Sequence, residues 1–94
     1  MDKQSADIIR VIAYREGDQW VAQCLEYDIA AQGPDFQEAM LRLTMTVNAE
    51  CEYTLKKHGK AFESIDAAPQ EFFEKFEQTD FSMRSDHMEL KIAA

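Results

Sequence analysis

Apolar and polar residues alternate along the first third of the chain, as they do in half-buried strands. The segment Ile8 to Arg15 is rich in β-branched residues and predicts a strand, and Glu16-Gly17-Asp18 supplies a turn before a second strand begins at Gln19. We therefore predict a β-hairpin, to which Ala30-Ala31-Gln32 can add a short third strand. The second strand is apolar on both sides, with Val21, Leu25, Tyr27 and Ile29 on one side and Trp20, Ala22 and Cys24 on the other. One side is expected to meet a helix, which leaves the other for a partner or a second element.

Further along the chain, the spacing of the apolar residues changes from two to three and four, which is typical of a helix. Asp35 and Glu38 form the acidic equivalent of a capping box, and Gly59 suits a left-handed cap, so we predict a helix from Phe36 to His58. Its buried stripe is predicted to be Phe36, Met40, Leu43, Val47, Cys51 and Leu55. A second apolar stripe, formed by Met45, Ala49 and Tyr53, predicts contact with the later helix or with another subunit.

The last third of the chain predicts one short helix and one strand. Residues Lys60 to Ala68 are predicted to form a connecting loop, and Pro69 suits the first turn of a helix that runs to Glu77. The apolar face of that helix is Phe72, Phe73 and Phe76. Phe81 and Met83 fall in a polar linker, after which Met88, Leu90 and Ile92 alternate with charged residues as in a final strand.

These elements predict one α+β domain over residues 1–94, with the order β-β-β-α-α-β and a small, mainly antiparallel sheet. The long helix is expected to pack on one face, with the Pro69 to Glu77 helix beside it and the final strand at the sheet edge. A chain of 94 residues that is 46% hydrophobic and 11% aromatic has enough apolar side chains to fill one modest core. A second independent domain does not fit.

The segment CLEYDIAAQG, followed by Asp35-Phe36-Gln37-Glu38-Ala39, resembles the N-terminal domain of the HicB-like antitoxins. In that family a strand ends in a loop of the type PDLPGCxxxG, and the next helix opens with (T/D)xxEA. The match covers about residues 8 to 58; Cys24 stands where the family usually has Pro, and Asp28-Ile29 where it has Gly-Cys. The resemblance implies a partial ribonuclease H fold that binds a small basic ribonuclease toxin. Residues 60 to 94 match neither of the DNA-binding parts, helix-turn-helix or ribbon-helix-helix, that the family often carries.

The net charge of −8 and the pI of about 4.6 argue against direct binding of nucleic acid, because such binding depends on Lys and Arg. The charge is evenly spread, with 6 − 10 = −4 over residues 1–59 and 4 − 8 = −4 over residues 60–94. An acidic surface favours a basic protein partner, or else it serves solubility. The sequence has no apolar run of the length a membrane span needs, and its start, MDKQSAD, does not resemble a signal peptide. We expect a cytoplasmic protein that does not enter the membrane.

The sequence predicts no catalytic residue, no metal site and no cofactor. Two-metal hydrolysis needs converging carboxylates, and the first strand has none in its interior, so nuclease activity is not expected. Cys24 and Cys51 do not form a CxxC pair, and both are interpreted as small buried apolar groups. His58 and His87 have no motif around them and are interpreted as a helix-end charge and a solvated linker residue.

The best candidates for partner binding are Trp20 and the triplet Glu26-Tyr27-Asp28, an acidic rim with an aromatic residue that suits a cationic surface. The alternative is an ordinary solvated strand end, with Tyr27 packed inward and Trp20 capping the core. We therefore predict a non-catalytic protein-binding module that masks a small basic partner and forms a homodimer or larger homo-oligomer. The rival hypothesis is a small homo-oligomeric ligand-binding or enzymatic domain with a pocket between the sheet and the second helix.

Overall fold

A five-stranded sheet with one helix on each face forms the fold in residues 8–85 and 87–93, the part of the chain that the computed structural model describes. The strands run in the spatial order β3-β2-β1-β5-β4. The α+β class is confirmed, as is the order of the predicted elements, to which the structure adds one strand. The elements are β1 (Ile9–Glu16), β2 (Gln19–Cys24), β3 (Ala30–Gly33), α1 (Phe36–His58), α2 (Gln70–Glu77), β4 (Ser82–Arg84) and β5 (Met88–Ile92).

The first three strands form an antiparallel meander. The β1–β2 hairpin turns at Gly17 and Asp18, and Gly17 has a φ of 65°, a conformation that two-residue hairpin loops require and that glycine adopts without a steric penalty. The third strand predicted at Ala30-Ala31-Gln32 is confirmed and extends to Gly33. The second strand is shorter than predicted, because β2 ends at Cys24 and the chain then bends through residues 25–27.

Two predictions for the C-terminal part of the chain are wrong. The strand predicted at the sheet edge, β5, lies inside the sheet, where it pairs parallel with β1 and antiparallel with β4. The edge is β4, which includes Met83 and was predicted to be a polar linker. A strand of three residues contains too little alternation to be recognised from its sequence.

The helix α1 has the predicted bounds because both ends are capped locally. The Asp35 carboxylate accepts a hydrogen bond from the Glu38 amide at 2.8 Å, and the Gly59 amide donates to the Leu55 carbonyl from a left-handed conformation with a φ of 77°. The Glu38 half of the predicted capping box is wrong, because the Glu38 carboxylate pairs with Arg42 at 3.0 Å instead of accepting from a helix-end amide. The predicted buried stripe is wrong at Leu55, which is 48% exposed.

The two helices pack on opposite faces of the sheet, so the prediction that α2 lies beside α1 is wrong. One core lies under α1, and a second core lies under α2 around Ile12, Leu25 and Phe76. The reason is that β1 and β2 are apolar on both sides, and each side needs a cover. Ile29 was predicted on the side of Leu25, but the bend after β2 turns it into the core under α1. That core consists of Val11, Ala13, Ala22, Cys24, Ile29, Ala39, Leu43 and Leu90.

Candidate functional site

The predicted triplet Glu26-Tyr27-Asp28 lies on a tight loop between β2 and β3 rather than at a strand end. The Cys24 amide donates to the Ile29 carbonyl at 2.9 Å, which closes the base of the loop. At its tip, the Ile29 amide donates to the Tyr27 carbonyl at 2.7 Å. The Asp28 amide also donates to the Asp66 carbonyl at 2.7 Å, which ties the loop to the segment after α1. The three side chains of the triplet point to different neighbours.

Glu26 forms an ion pair within the chain. Its Oε1 accepts from the Arg10 amide at 2.8 Å and its Oε2 accepts from Arg10 Nε at 2.6 Å. The same guanidinium lies over the Phe73 ring of α2, 5.3 Å from the ring centroid. The charge of Glu26 is thus offset internally, and its role in partner binding stays a prediction.

Tyr27 stacks on Phe62, with ring centroids 4.1 Å apart and an interplanar angle of 17°. Phe62 belongs to the loop after α1 and has a φ of 63°, a conformation that residues with a side chain rarely adopt. Its amide donates to Thr54 Oγ1 at 2.6 Å, and Thr54 is buried in α1. No pattern in the sequence marks Phe62 or Thr54 as part of this site.

Trp20 lies at the other end of β2, half-buried against the core under α1. Its ring meets the edge of Phe36 at a centroid distance of 5.6 Å and an angle of 76°. This contact joins β2 to the first turn of α1. A further role for Trp20 in an interface stays a prediction.

Asp28 opens onto a surface depression of about 310 Å³ that Glu50 also lines. Asp28 Oδ1 accepts from Gln23 Nε2 at 3.0 Å. Glu50 approaches from α1, and neither carboxylate forms an ion pair with another described residue. We call this feature the acidic depression, lined by Asp28, Ile29, Ala30, Thr46, Glu50 and Ile65.

The flank Met45, Ala49 and Tyr53 runs along α1 beside the acidic depression, since Ala49 is three positions from Thr46 and Tyr53 is three positions from Glu50. Met45 is 62% and Tyr53 is 55% exposed. Contact of this flank with the later helix was one of two predicted alternatives and is wrong, because α2 lies on the other face. Contact with another subunit stays a prediction.

An apolar cleft of about 160 Å³ lies between α1 and the strands β1 and β5. Its floor is formed by Val11, Cys24 and Leu43, which are fully or almost fully buried. Burial, and to a lesser extent the Glu26 carboxylate, raises the pKa of the Cys24 thiol to about 12. The thiol is therefore protonated near neutral pH and has no nucleophilic character there.

Within residues 8–85 and 87–93, no group of three or more His, Cys, Asp and Glu side chains is placed to hold a metal ion. Neither described helix is long and apolar enough to cross a membrane. His58 lies in the last turn of α1, as predicted, and His87 is exposed just before β5.

No family model, curated protein or solved structure matches this chain. The likeness to the HicB-like antitoxins therefore rests on the residues that carry it, above all the loop before β3 and the Asp35-capped start of α1.

Proposed function

We propose that this chain is a non-catalytic protein-binding module that masks a small basic partner, as a HicB-like antitoxin masks its ribonuclease toxin. The observation that carries the proposal is the acidic depression, which Asp28 and Glu50 both line without an ion pair to any residue in the described part of the chain. In this proposal, a lysine or arginine side chain of the partner enters the depression and gains charge-assisted hydrogen bonds from these carboxylates. The net charge of −8 speeds the encounter with a basic protein.

Apolar contact area next to the acidic depression supports the same proposal. Tyr53 is exposed one turn from Glu50, and Met45 is exposed further along the same flank. Tyr27, which stacks on Phe62, directly precedes Asp28. Interfaces that bind tightly combine aromatic and methionine side chains with a polar rim. We assign Glu26 a smaller part than Asp28, because Arg10 already neutralises it.

The chemistry of the site favours binding over catalysis. The cleft offers a thiol, Cys24, whose pKa is raised far above neutrality, and the acidic depression offers carboxylates without a metal-binding third group among the described residues. Both cysteines are free, which suits a reducing compartment, and we propose the cytoplasm as the place of action.

The test is to identify, by mass spectrometry, the protein that this chain binds stoichiometrically in its own cells, and then to measure the affinity for that purified protein by calorimetry. Asp28→Asn combined with Glu50→Gln removes two charges from the acidic depression. Glu52→Gln combined with Glu77→Gln removes two exposed charges elsewhere and is the matched control. We expect the first pair to raise the Kd by a factor on the order of tenfold or more, and the control to change it by less than about threefold.

Two kinds of result contradict the proposal, one from the identity of the partner and one from the variants. One is a stoichiometric partner that is not basic, or recovery of the chain only as a homo-oligomer. The other is an equal loss of affinity in both double variants, which would show a general charge effect without a defined site.

A further inference from the structure

The edge of the sheet formed by β4 exposes two large apolar side chains. Phe81 is 60% and Met83 is 52% exposed. Met83 is opposite Leu90 in the β4–β5 pairing, and Leu90 belongs to the core under α1, so Met83 and Phe81 lie on the α1 side of the sheet. The helix α1 lies over β3 and β2, far from this edge, and leaves both side chains in water.

The backbone of this edge is arranged for pairing with another strand. The Phe81 carbonyl accepts from the Ile92 amide at 3.3 Å, and the Ser85 amide donates to the Met88 carbonyl at 2.9 Å, so the odd-numbered residues turn their polar groups towards β5. Because these groups alternate along a strand, the amides and carbonyls of Ser82 and Arg84 point away from the sheet, and Asp80 continues the same alternation if the strand extends on pairing. No other strand of the described chain pairs with this edge, and a second copy can supply one.

We propose that a second copy of this chain pairs antiparallel with the β4 edge, about a two-fold axis through Ser82. Each copy then contributes five strands to one continuous ten-stranded sheet. In this register Ser82 is opposite Ser82 of the second copy, Phe81 is opposite Met83, and Asp80 is opposite Arg84. The outward-pointing groups of Asp80, Ser82 and Arg84 form the hydrogen bonds of the pairing, which an isologous interface repeats in both directions.

Charge complementarity favours a second copy of this chain as the partner of the β4 edge, in the register with the axis at Ser82. Asp80 and Arg84 form no ion pair with another described residue, and the two-fold axis at Ser82 brings each of them opposite the other, twice. A two-fold axis at Met83 would place Arg84 opposite Ser82, and neither of the two Asp80–Arg84 pairs between the copies would form. The apolar side is complementary as well, because Phe81 and Met83 of both copies cover one another on the same face.

The opposite edge of the sheet is closed to the same pairing. There, Arg42 Nη1 donates to the Gln32 carbonyl of β3 at 2.9 Å and occupies an edge acceptor. The acidic depression lies at that opposite edge, so the β4 interface is separate from the proposed partner site. Either proposal can fail without affecting the other.

Charge reversal tests the interface by sedimentation equilibrium of the purified full chain. We expect the native chain to be a dimer, and Asp80→Arg or Arg84→Asp alone to raise the dimer Kd by about tenfold or more, since each turns two attractions into two repulsions. The double variant Asp80→Arg with Arg84→Asp restores the pairing, and its Kd is expected within about threefold of the native value. A native chain that stays monomeric at the highest concentration, single variants that dimerise normally, or a double variant without rescue overturns the proposal.

Cysteine cross-linking tests the register. In a Cys51→Ser background, Ser82→Cys is expected to form a disulfide between the two copies on mild oxidation, because paired residues across strands lie within the distance that a disulfide spans. Ser85→Cys is the matched control, since the two copies of that residue lie three positions to either side of the axis. Equal cross-linking of both variants, or of the control alone, would refute the two-fold axis at Ser82.

Discussion

Cys24 shows how burial decides what a reactive side chain can do. The residue is fully buried at the floor of the apolar cleft, and its pKa of about 12 keeps the thiol protonated at physiological pH. Burial is the larger cause of the shift, and the Glu26 carboxylate adds to it. The interpretation of this cysteine as a small apolar core residue follows from its environment, and it has a measurable consequence at alkaline pH.

We expect the stability of the protein to fall above pH 9 in part because of Cys24. In the unfolded chain the thiol ionises with its ordinary pKa of 9.0, whereas in the folded chain it stays protonated up to about pH 12. Alkali therefore favours the unfolded state between these values, by about 1.4 kcal/mol for each pH unit. Urea denaturation at pH 7.5, 9, 10 and 10.5 measures the slope.

The variant Cys24→Ala is the control for this slope. Burial, together with Glu16 and Glu71, also raises the pKa of Tyr14, so the native chain loses stability at high pH through the tyrosine too. The difference in slope between the native chain and Cys24→Ala gives the contribution of the Cys24 thiol to the pH dependence of stability. Parallel stability curves for the two proteins would show that Cys24 ionises alike in the folded and unfolded states.

Residue-level features of the site differ in how far the sequence reveals them. The acidic and aromatic character of Glu26-Tyr27-Asp28 is visible in the sequence, but the internal pairing of Glu26 with Arg10 is not, because the two residues are 16 positions apart. The stack of Tyr27 on Phe62 depends on a left-handed backbone at Phe62, and no glycine or asparagine marks that position. Such contacts are set by tertiary packing.

At the scale of elements, local chemistry predicted the helix α1 well and could not place α2. The bounds of α1 follow from Asp35 and Gly59, which act within a few residues of their own positions. The apolar face of α2 was correctly recognised around Phe76, but the side of the sheet that it covers depends on Ile12 and Leu25, which are distant in sequence. The strand β4 was missed because its three residues carry no resolvable period.

The contact between β3 and α1 depends on a glycine. A Cβ added to Gly33 would lie 2.9 Å from the Ala39 amide nitrogen and 3.1 Å from the Glu38 carbonyl carbon, both of which are backbone atoms that cannot turn aside. We expect Gly33→Ala to lower the free energy of unfolding by about 1–3 kcal/mol, because the helix must shift off the strand. Chemical denaturation followed by far-ultraviolet circular dichroism measures the change.

The neighbouring substitution Gln32→Ala is the matched control for Gly33→Ala. The Gln32 side chain is exposed, and its carbonyl, which accepts from Arg42, is retained. We expect a change within about 0.5 kcal/mol for this surface variant. If Gly33→Ala is as stable as Gln32→Ala, the close approach of α1 to β3 at this point is wrong.

At the scale of the whole molecule, the two cores are joined through β1. Val11 and Ala13 face the core under α1, and Ile12 between them faces the core under α2. A strand with both faces buried transmits the loss of one core to the other, because neither core can open without exposing the shared strand. We therefore infer that the described chain unfolds as one cooperative unit.

Phe76→Ala tests this cooperativity across the sheet. Phe76 fills the core under α2, so the substitution should cost about 3–5 kcal/mol. The single tryptophan, Trp20, packs on Phe36 in the other core and reports unfolding there by fluorescence. At one fixed protein concentration, the fluorescence midpoint in urea should fall together with the circular dichroism midpoint, while Glu74→Ala on the exposed side of α2 leaves both unchanged. A fluorescence midpoint that stays at the native value in Phe76→Ala would mean that the two cores unfold separately, with α2 as a detachable layer.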